Sequence, residues 1–215
     1  MTTYPFWTDQ YWLPLMQLYM RKPQGVKSEY ARHTVDLAIR LHMPPSVLHE
    51  QMMLIDSHNT PLTQRLWDRY ANNPRRLARD VKRQEQLEGF GNAADFYCGV
   101  CSNDSLAKQY MPVSDDTKLT PVMLTIILAL YFTLTPNTMV ADTPEVADTA
   151  RLLGLKTQEV VEALELFQTF DPILKRKPAT ASTLADEARR TWQTYNNEQP
   201  QTLHDTAENL KEYFK

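Results

Sequence analysis

Thr120-Pro121-Val122-Met123-Leu124-Thr125-Ile126-Ile127-Leu128-Ala129-Leu130-Tyr131-Phe132-Thr133-Leu134 is the most apolar stretch of the chain. A hydroxyl at Thr120 is suited to accept a hydrogen bond from an orphan amide of a first helical turn. Proline directly after it loses nothing, because its missing amide would be unpaired there anyway. The run from Val122 to Leu134 carries two threonines and falls short of the roughly 20 residues that a membrane span needs. It therefore reads as a helix buried in a protein core.

The same cap-plus-proline pattern recurs at Thr60-Pro61, Asn73-Pro74, Thr143-Pro144 and Asp171-Pro172, and each pair predicts a helix start. Ser28, Ser182 and Thr202 are expected caps without proline, and Thr202 with Asp205 comes close to a capping box. Helical spacing follows these signals. Val35, Ala38 and Leu41 mark one face; Leu48, Met52 and Ile55 the next; then Leu62, Leu66 and Tyr70; Leu77 and Val81; and Val160, Leu164 and Phe167. Gly154 is expected to end a short helix. No useful length alternates apolar and polar as a half-buried strand does. The prediction is an all-α chain: a multi-helix bundle of short helices with two helix-turn-helix-like units and a C-terminal helical extension.

Composition narrows the function classes. The 215 residues suit one large domain, or one domain with an extension. A formal charge of −3 excludes a global basic excess but not a local basic patch. Two cysteines exclude a disulfide scaffold. Only five glycines leave no glycine-rich phosphate cradle. The first sixteen residues hold Asp9 and no Lys or Arg, unlike a secretory signal, and no lipidation signal is seen, so a soluble cytoplasmic protein is expected.

The composition shifts after Leu174, where Lys175 to Ser182 reads as a linker. The expected organisation is an all-helical domain over 1–175 and an extension over 176–215, a linker plus two helices. Leu184, Ala188, Trp192 and Tyr195 form one stripe, and Leu203, Ala207, Leu210 and Phe214 another. Both need covering, by the main domain in the plainer reading or by another chain. The aromatic start, Tyr4, Phe6, Trp7, Tyr11, Trp12 and Tyr19, is likewise expected to pack on the core or into a groove.

Residues 36–56 align without a gap to residues 148–168. Asp36 matches Asp148, Ala38 matches Ala150, Leu41 matches Leu153, Glu50 matches Glu162 and Leu54 matches Leu166. Each copy resembles the helix-turn-helix motif, in which a small residue lets two helices approach and a glycine turn follows four positions on. Ala150, Leu153, Gly154, Leu155 and Val160 fit those places. Ala38, Leu41, His42, Met43 and Leu48 fit them in the first copy, with His42 replacing the glycine. Thr149 stands where an apolar residue is expected. The resemblance implies a second helix facing a DNA groove. The matching residues are Lys156, Thr157, Gln158, Glu159, Val161, Glu162 and Glu165, one cation against three carboxylates. That sign opposes phosphate attraction, so both copies read first as packing units.

The one basic concentration lies elsewhere. Arg65, Arg69, Arg75, Arg76, Arg79, Lys82 and Arg83 face Asp68, Asp80, Glu85 and Glu88 between Thr60 and Phe90, a net of +3. Arg75, Arg79 and Lys82 share one helix face, with Leu77 and Val81 on the buried side. The plain reading is a solvated helix face paired with local carboxylates; the functional one is a contact for an acidic protein partner, or for nucleic acid.

Catalytic signals are few. Cys98-Gly99-Val100-Cys101 has the spacing of a dithiol pair, but no further cysteine completes a zinc site. His49-Glu50 lacks the second histidine of a zinc-protease helix, and His42 and His58 are expected to satisfy backbone groups at helix ends. Residues 88–92, with two of the five glycines, read as the flexible loop. No cofactor, metal or membrane contact is expected, and oligomeric state is left open. The leading reading is a non-enzymatic helical interaction protein that contacts an acidic partner through its basic helix surface. The alternatives are a DNA-binding regulator with degenerate helix-turn-helix units, and a thiol redox protein using Cys98 and Cys101.

Overall fold

The computed structural model describes residues 7–87, 90, 104–177, 180–196 and 199–215. These are helical with no strand among them, as the sequence predicts. The chain divides into two compact units, residues 1–106 and 107–215. The division lies inside the short helix α6 (Asp104–Tyr110), whereas the linker composition places a boundary after residue 175.

The first unit holds α1 (Trp12–Met20), α2 (Arg32–Arg40), α3 (Pro45–Ser57), α4 (Pro61–Tyr70) and α5 (Pro74–Glu85). α1 is the axis, packed against α5, α3 and α2. Leu15, Met16, Ala38, Leu48, Met52, Ile55, Leu77 and Val81 make its core. The aromatic start packs as expected where it is described: Tyr11, Trp12 and Tyr19 are buried and Trp7 packs beside them. Trp7 meets Tyr11 and Trp12 edge-on, with centroids 5.7 and 5.0 Å apart. Tyr4 and Phe6 lie outside the described residues.

The second unit holds α7 (Pro121–Thr133), α8 (Pro144–Leu153), α9 (Thr157–Gln168), α10 (Thr183–Tyr195) and α11 (Pro200–Lys211). α7 is the most apolar stretch of the chain. It is apolar on all sides because α8, α9, α10 and α11 all pack on it, as a helix surrounded by others must be. The Thr120 side chain caps it by accepting from the Met123 amide at 3.2 Å. Thr125 returns its buried hydroxyl to the Pro121 carbonyl at 3.1 Å. The stripes of α10 and α11, with Phe214 beyond, are covered by this unit's own core.

Three predicted starts need correction. Asp171-Pro172 opens a turn, not a helix: the Asp171 carboxylate accepts from the Ile173 amide at 2.8 Å and from the Tyr131 hydroxyl at 2.7 Å, and Lys175 takes a left-handed φ of 46°. Ser28 caps nothing; its hydroxyl accepts from the Tyr30 amide, and α2 begins after Ala31. Thr202 lies inside the first turn of α11, which begins at Pro200. No helix among the described residues is long and apolar enough to cross a membrane.

Candidate functional site

The basic residues sit on α4 and α5 of the first unit. The start of α4 is fixed by Thr60, whose hydroxyl accepts from the Thr63 amide at 3.1 Å, while the Thr60 amide donates to the Thr63 hydroxyl. Proline opens α5, and the burial of Leu77 and Val81 sets its rotation. Arg75, Arg76, Arg79, Lys82 and Arg83 are thereby turned outward, and Arg65 and Arg69 are exposed on α4.

Asp80 divides this set. Its half-buried carboxylate gathers Arg69 at 3.7 Å, Arg76 at 3.8 Å and Arg79 at 3.4 Å, and accepts from the Tyr70 hydroxyl at 3.1 Å. Desolvation works to raise the Asp80 pKa, but the bonds from Tyr70 and Arg79 and the charges of Arg79 and Arg69 outweigh it, so the carboxyl lies below its usual value. Burial, then the bond to Asp80, raises the Tyr70 phenol. The Arg69 guanidinium also lies over the Tyr70 ring, 5.3 Å from its centroid. Glu85, at the far end of α5, meets Arg40 of α2 at 2.8 Å. Arg65, Arg75, Lys82 and Arg83 have no carboxylate partner among the described residues. The local-pairing reading thus accounts for three of the seven cations and leaves four to solvent. The sequence showed that the cations cluster; it hid the gathering point, because Arg69 and Asp80 sit on different helices.

The duplication reaches further than the paired helices that revealed it. α2 and α8 begin 112 residues apart, as do α3 and α9. His42 and Gly154 both take left-handed backbone in the intervening turn, with φ of 52° and 66°. The Met43 amide bonds the Ala38 carbonyl at 3.0 Å, and the Leu155 amide bonds the Ala150 carbonyl at 2.9 Å. The same offset relates α1 to α7. Tyr19 donates to Asp56 at 2.5 Å, and Tyr131, its counterpart, donates to Asp171 at 2.7 Å. Burial and then the bond to Asp56 push the Tyr19 phenol up to about 12. Tyr131 is raised by burial and then by Asp171. A groove recurs as well: Pro14, Gln17, Arg21, His33 and Asp36 line it in the first unit, and Ile126, Ala129, Thr133, Glu145 and Asp148 line it in the second.

Beyond α3 and α9 the offset grows, but the pattern holds. Thr60 and Ser182 both cap the next helix through a side-chain oxygen. Thr63, Leu66 and Tyr70 are buried where Ala185, Ala188 and Thr191-Trp192 are buried. Leu77 and Val81 of α5 correspond to Leu203 and Ala207 of α11, and α11 packs on α7 as α5 packs on α1.

The helix-turn-helix-like units place their second helices with acidic outer faces. Glu162 and Glu165 are exposed on α9, and Glu159 accepts from the Lys156 amide at 2.7 Å, serving the helix start. Val161, matched to an outward reading position, is buried, as is Val47 in the first unit. Thr149, at the apolar place of the motif, is also buried. On α3 the exposed residues include Glu50, Met53 and Asp56.

Cys98 and Cys101 lie outside the described residues, as do Glu88, Gly89, Gly91 and Asn92 of the expected loop. Phe90 is described and meets Tyr11 edge-on at 6.1 Å. His42 and His58 both end helices in left-handed backbone. No group of three potential metal ligands occurs among the described residues. Comparison with family models, with curated proteins and with solved structures finds no match to the chain.

Proposed function

We propose that the chain is a non-enzymatic helical interaction protein whose first unit contacts an acidic protein partner through the exposed face of α4 and α5. The observation that carries this reading is the set Arg65, Arg75, Lys82 and Arg83, exposed and without a carboxylate partner among the described residues. The fold does not require cations there. α11 packs on α7 as α5 packs on α1, yet it carries Gln201, Asp205, Glu208 and Asn209 at the positions of Arg75, Arg79, Lys82 and Arg83. Charge at a surface that packing leaves free acts through encounter and partner choice.

DNA reading by the helix-turn-helix-like units is less well supported. Their second helices present carboxylates, and a DNA reader gains most of its non-specific affinity from phosphate neutralisation.

The test is fluorescence anisotropy with a labelled oligo-glutamate peptide and a labelled DNA duplex at low salt. Binding of the peptide is expected to weaken with added salt, and to fall about tenfold, or ~1.4 kcal/mol, in Arg75→Glu/Arg83→Glu. Failure to bind the peptide, or tighter binding of the duplex, overturns the reading.

A further inference from the structure

We infer that the acidic partner is an amphipathic helix that seats an apolar side chain in a cleft of the first unit while its carboxylates meet the cations on the rim. This rests on the reading of α4–α5 as a docking face and names the kind of element that docks. The cleft lies among α1, α4 and the end of α5 and has a volume of about 360 Å³. Leu13, Tyr70 and Leu87 supply its apolar lining, and Arg69, Asp80 and Arg83 its charged lining. Leu87 is the apolar residue most open to solvent there, with 62% of its surface exposed. Arg79, Arg83 and Leu87 follow one another at four-residue intervals. Gln86 keeps helical backbone past the end of α5, and the Leu87 amide bonds the Gln84 carbonyl at 3.1 Å. The three side chains therefore stand in one row, two cations leading to an apolar residue.

The second unit shows what covers the same place on this frame. With Leu77 matched to Leu203 and Val81 to Ala207, Leu87 corresponds to Tyr213. Tyr213 is half-buried, and the ring of Tyr110, at the end of α6, lies against it with centroids 4.5 Å apart. Leu210, at the place of Gln84, and Phe214 pack on the core of that unit. One unit thus receives an apolar ring from a short helix where the other leaves Leu87 exposed. Charge then selects what lies over Leu87. Residues 60–87 carry seven cations against Asp68, Asp80 and Glu85, a formal +4, and Glu85 is already met by Arg40 of α2. Arg83, four residues before Leu87, has no carboxylate partner among the described residues. A helix with an apolar side chain one turn from a carboxylate satisfies both at once. The anchored side chain supplies the affinity, and the carboxylates decide which helices approach.

Fluorescence anisotropy on the full chain tests this with two labelled helical peptides of alanine and glutamate that differ at one position. The first carries leucine one turn from a glutamate, and the second carries glutamine there. The leucine peptide is expected to bind about tenfold tighter, the effect of burying one leucine side chain. That ratio is expected to persist at about 300 mM salt, where the charge attraction common to both peptides is screened. Leu87→Gln, a change at an exposed position, is expected to keep the helical circular dichroism and to bind the two peptides alike, the leucine peptide having lost its advantage. Arg83→Gln is expected to weaken both peptides and to preserve their ratio. Equal binding of the two peptides by the wild-type chain overturns the inference, as does a leucine preference that Leu87→Gln leaves intact. The same measurement separates the two readings: a chain that binds both peptides equally leaves the acidic-partner reading standing and removes the apolar anchor, whereas a chain that binds neither removes both.

Discussion

His42 and Gly154 hold the same left-handed backbone in turns 112 residues apart, one with a side chain and one without. Each lets the next amide reach back to an alanine carbonyl, at 3.0 Å for Met43 to Ala38 and at 2.9 Å for Leu155 to Ala150. A Cβ in this conformation costs roughly 1–2 kcal/mol. His42→Gly is therefore expected to stabilise the chain by up to about 1 kcal/mol, the excess being offset by the greater freedom of glycine in the unfolded state. Gly154→Ala is expected to destabilise by about 1 kcal/mol through conformation alone, because nothing lies within 4 Å of the place its Cβ would take. Urea midpoints measure both.

Tyr19 makes stability depend on alkaline pH. Its folded pKa lies above its ordinary value of 10.0, at about 12, so the folded state favours the neutral phenol. The stability this contributes is fully present below about pH 10 and is lost as pH rises toward about 12. Tyr19→Phe is expected to be less stable at neutral pH, by about 1–2 kcal/mol for a bond to a carboxylate. It is also expected to show a shallower fall in stability over that alkaline range. Phenolate absorbance at alkaline pH, followed beside circular dichroism, checks the sign.

Asp80 works in the opposite direction. Its pKa is depressed in the folded chain, so its contribution is present above the ordinary value of 3.8 and is lost as pH falls through the lower folded value. Arg79→Ala is expected to raise the Asp80 pKa in a carboxyl NMR titration. Asp80→Asn releases Arg69, Arg76 and Arg79 together and is expected to tighten oligo-glutamate binding several-fold. An unchanged affinity would show that the three guanidinium groups take no part in binding.

Each unit has its own buried cluster. Phe167 is fully buried in the second, and Phe167→Ala is expected to cost about 3–5 kcal/mol. Hydrogen exchange should record that loss as faster exchange in α7–α11, with α1–α5 unchanged. Leu48→Ala, at a cost of about 2–5 kcal/mol, should give the reverse distribution.

Much of the fold is written in local chemistry. Thr60-Pro61 and Thr120-Pro121 mark starts whose side-chain caps are both present, and the all-apolar Val122 to Leu134 gives away a surrounded helix. Asp171-Pro172 carries the same signal and fails, because the Asp171 carboxylate is taken by the Tyr131 hydroxyl from 40 residues away, a contact no local rule contains. The duplication was legible only where its numbering runs without a gap through strong similarity. α1 and α7 share Leu18 with Leu130 and Tyr19 with Tyr131 but little else. After α3 and α9, inserted residues shift the register, and what persists is which positions are buried rather than which residues occupy them. The basic cluster was visible as composition, whereas its division by Asp80 depends on two helices meeting.

The two phenols close their bonds by different routes: Asp56 belongs to the third helix of its unit, and Asp171 lies just past the end of the corresponding helix. The two units therefore share the hydroxyl and differ in its acceptor. A search for remote kin keyed to the acid would recover one half and miss the other. A pattern of Leu-Tyr followed 23 positions after the tyrosine by a helix-reversing residue, as Tyr19 is by His42 and Tyr131 by Gly154, would recover both.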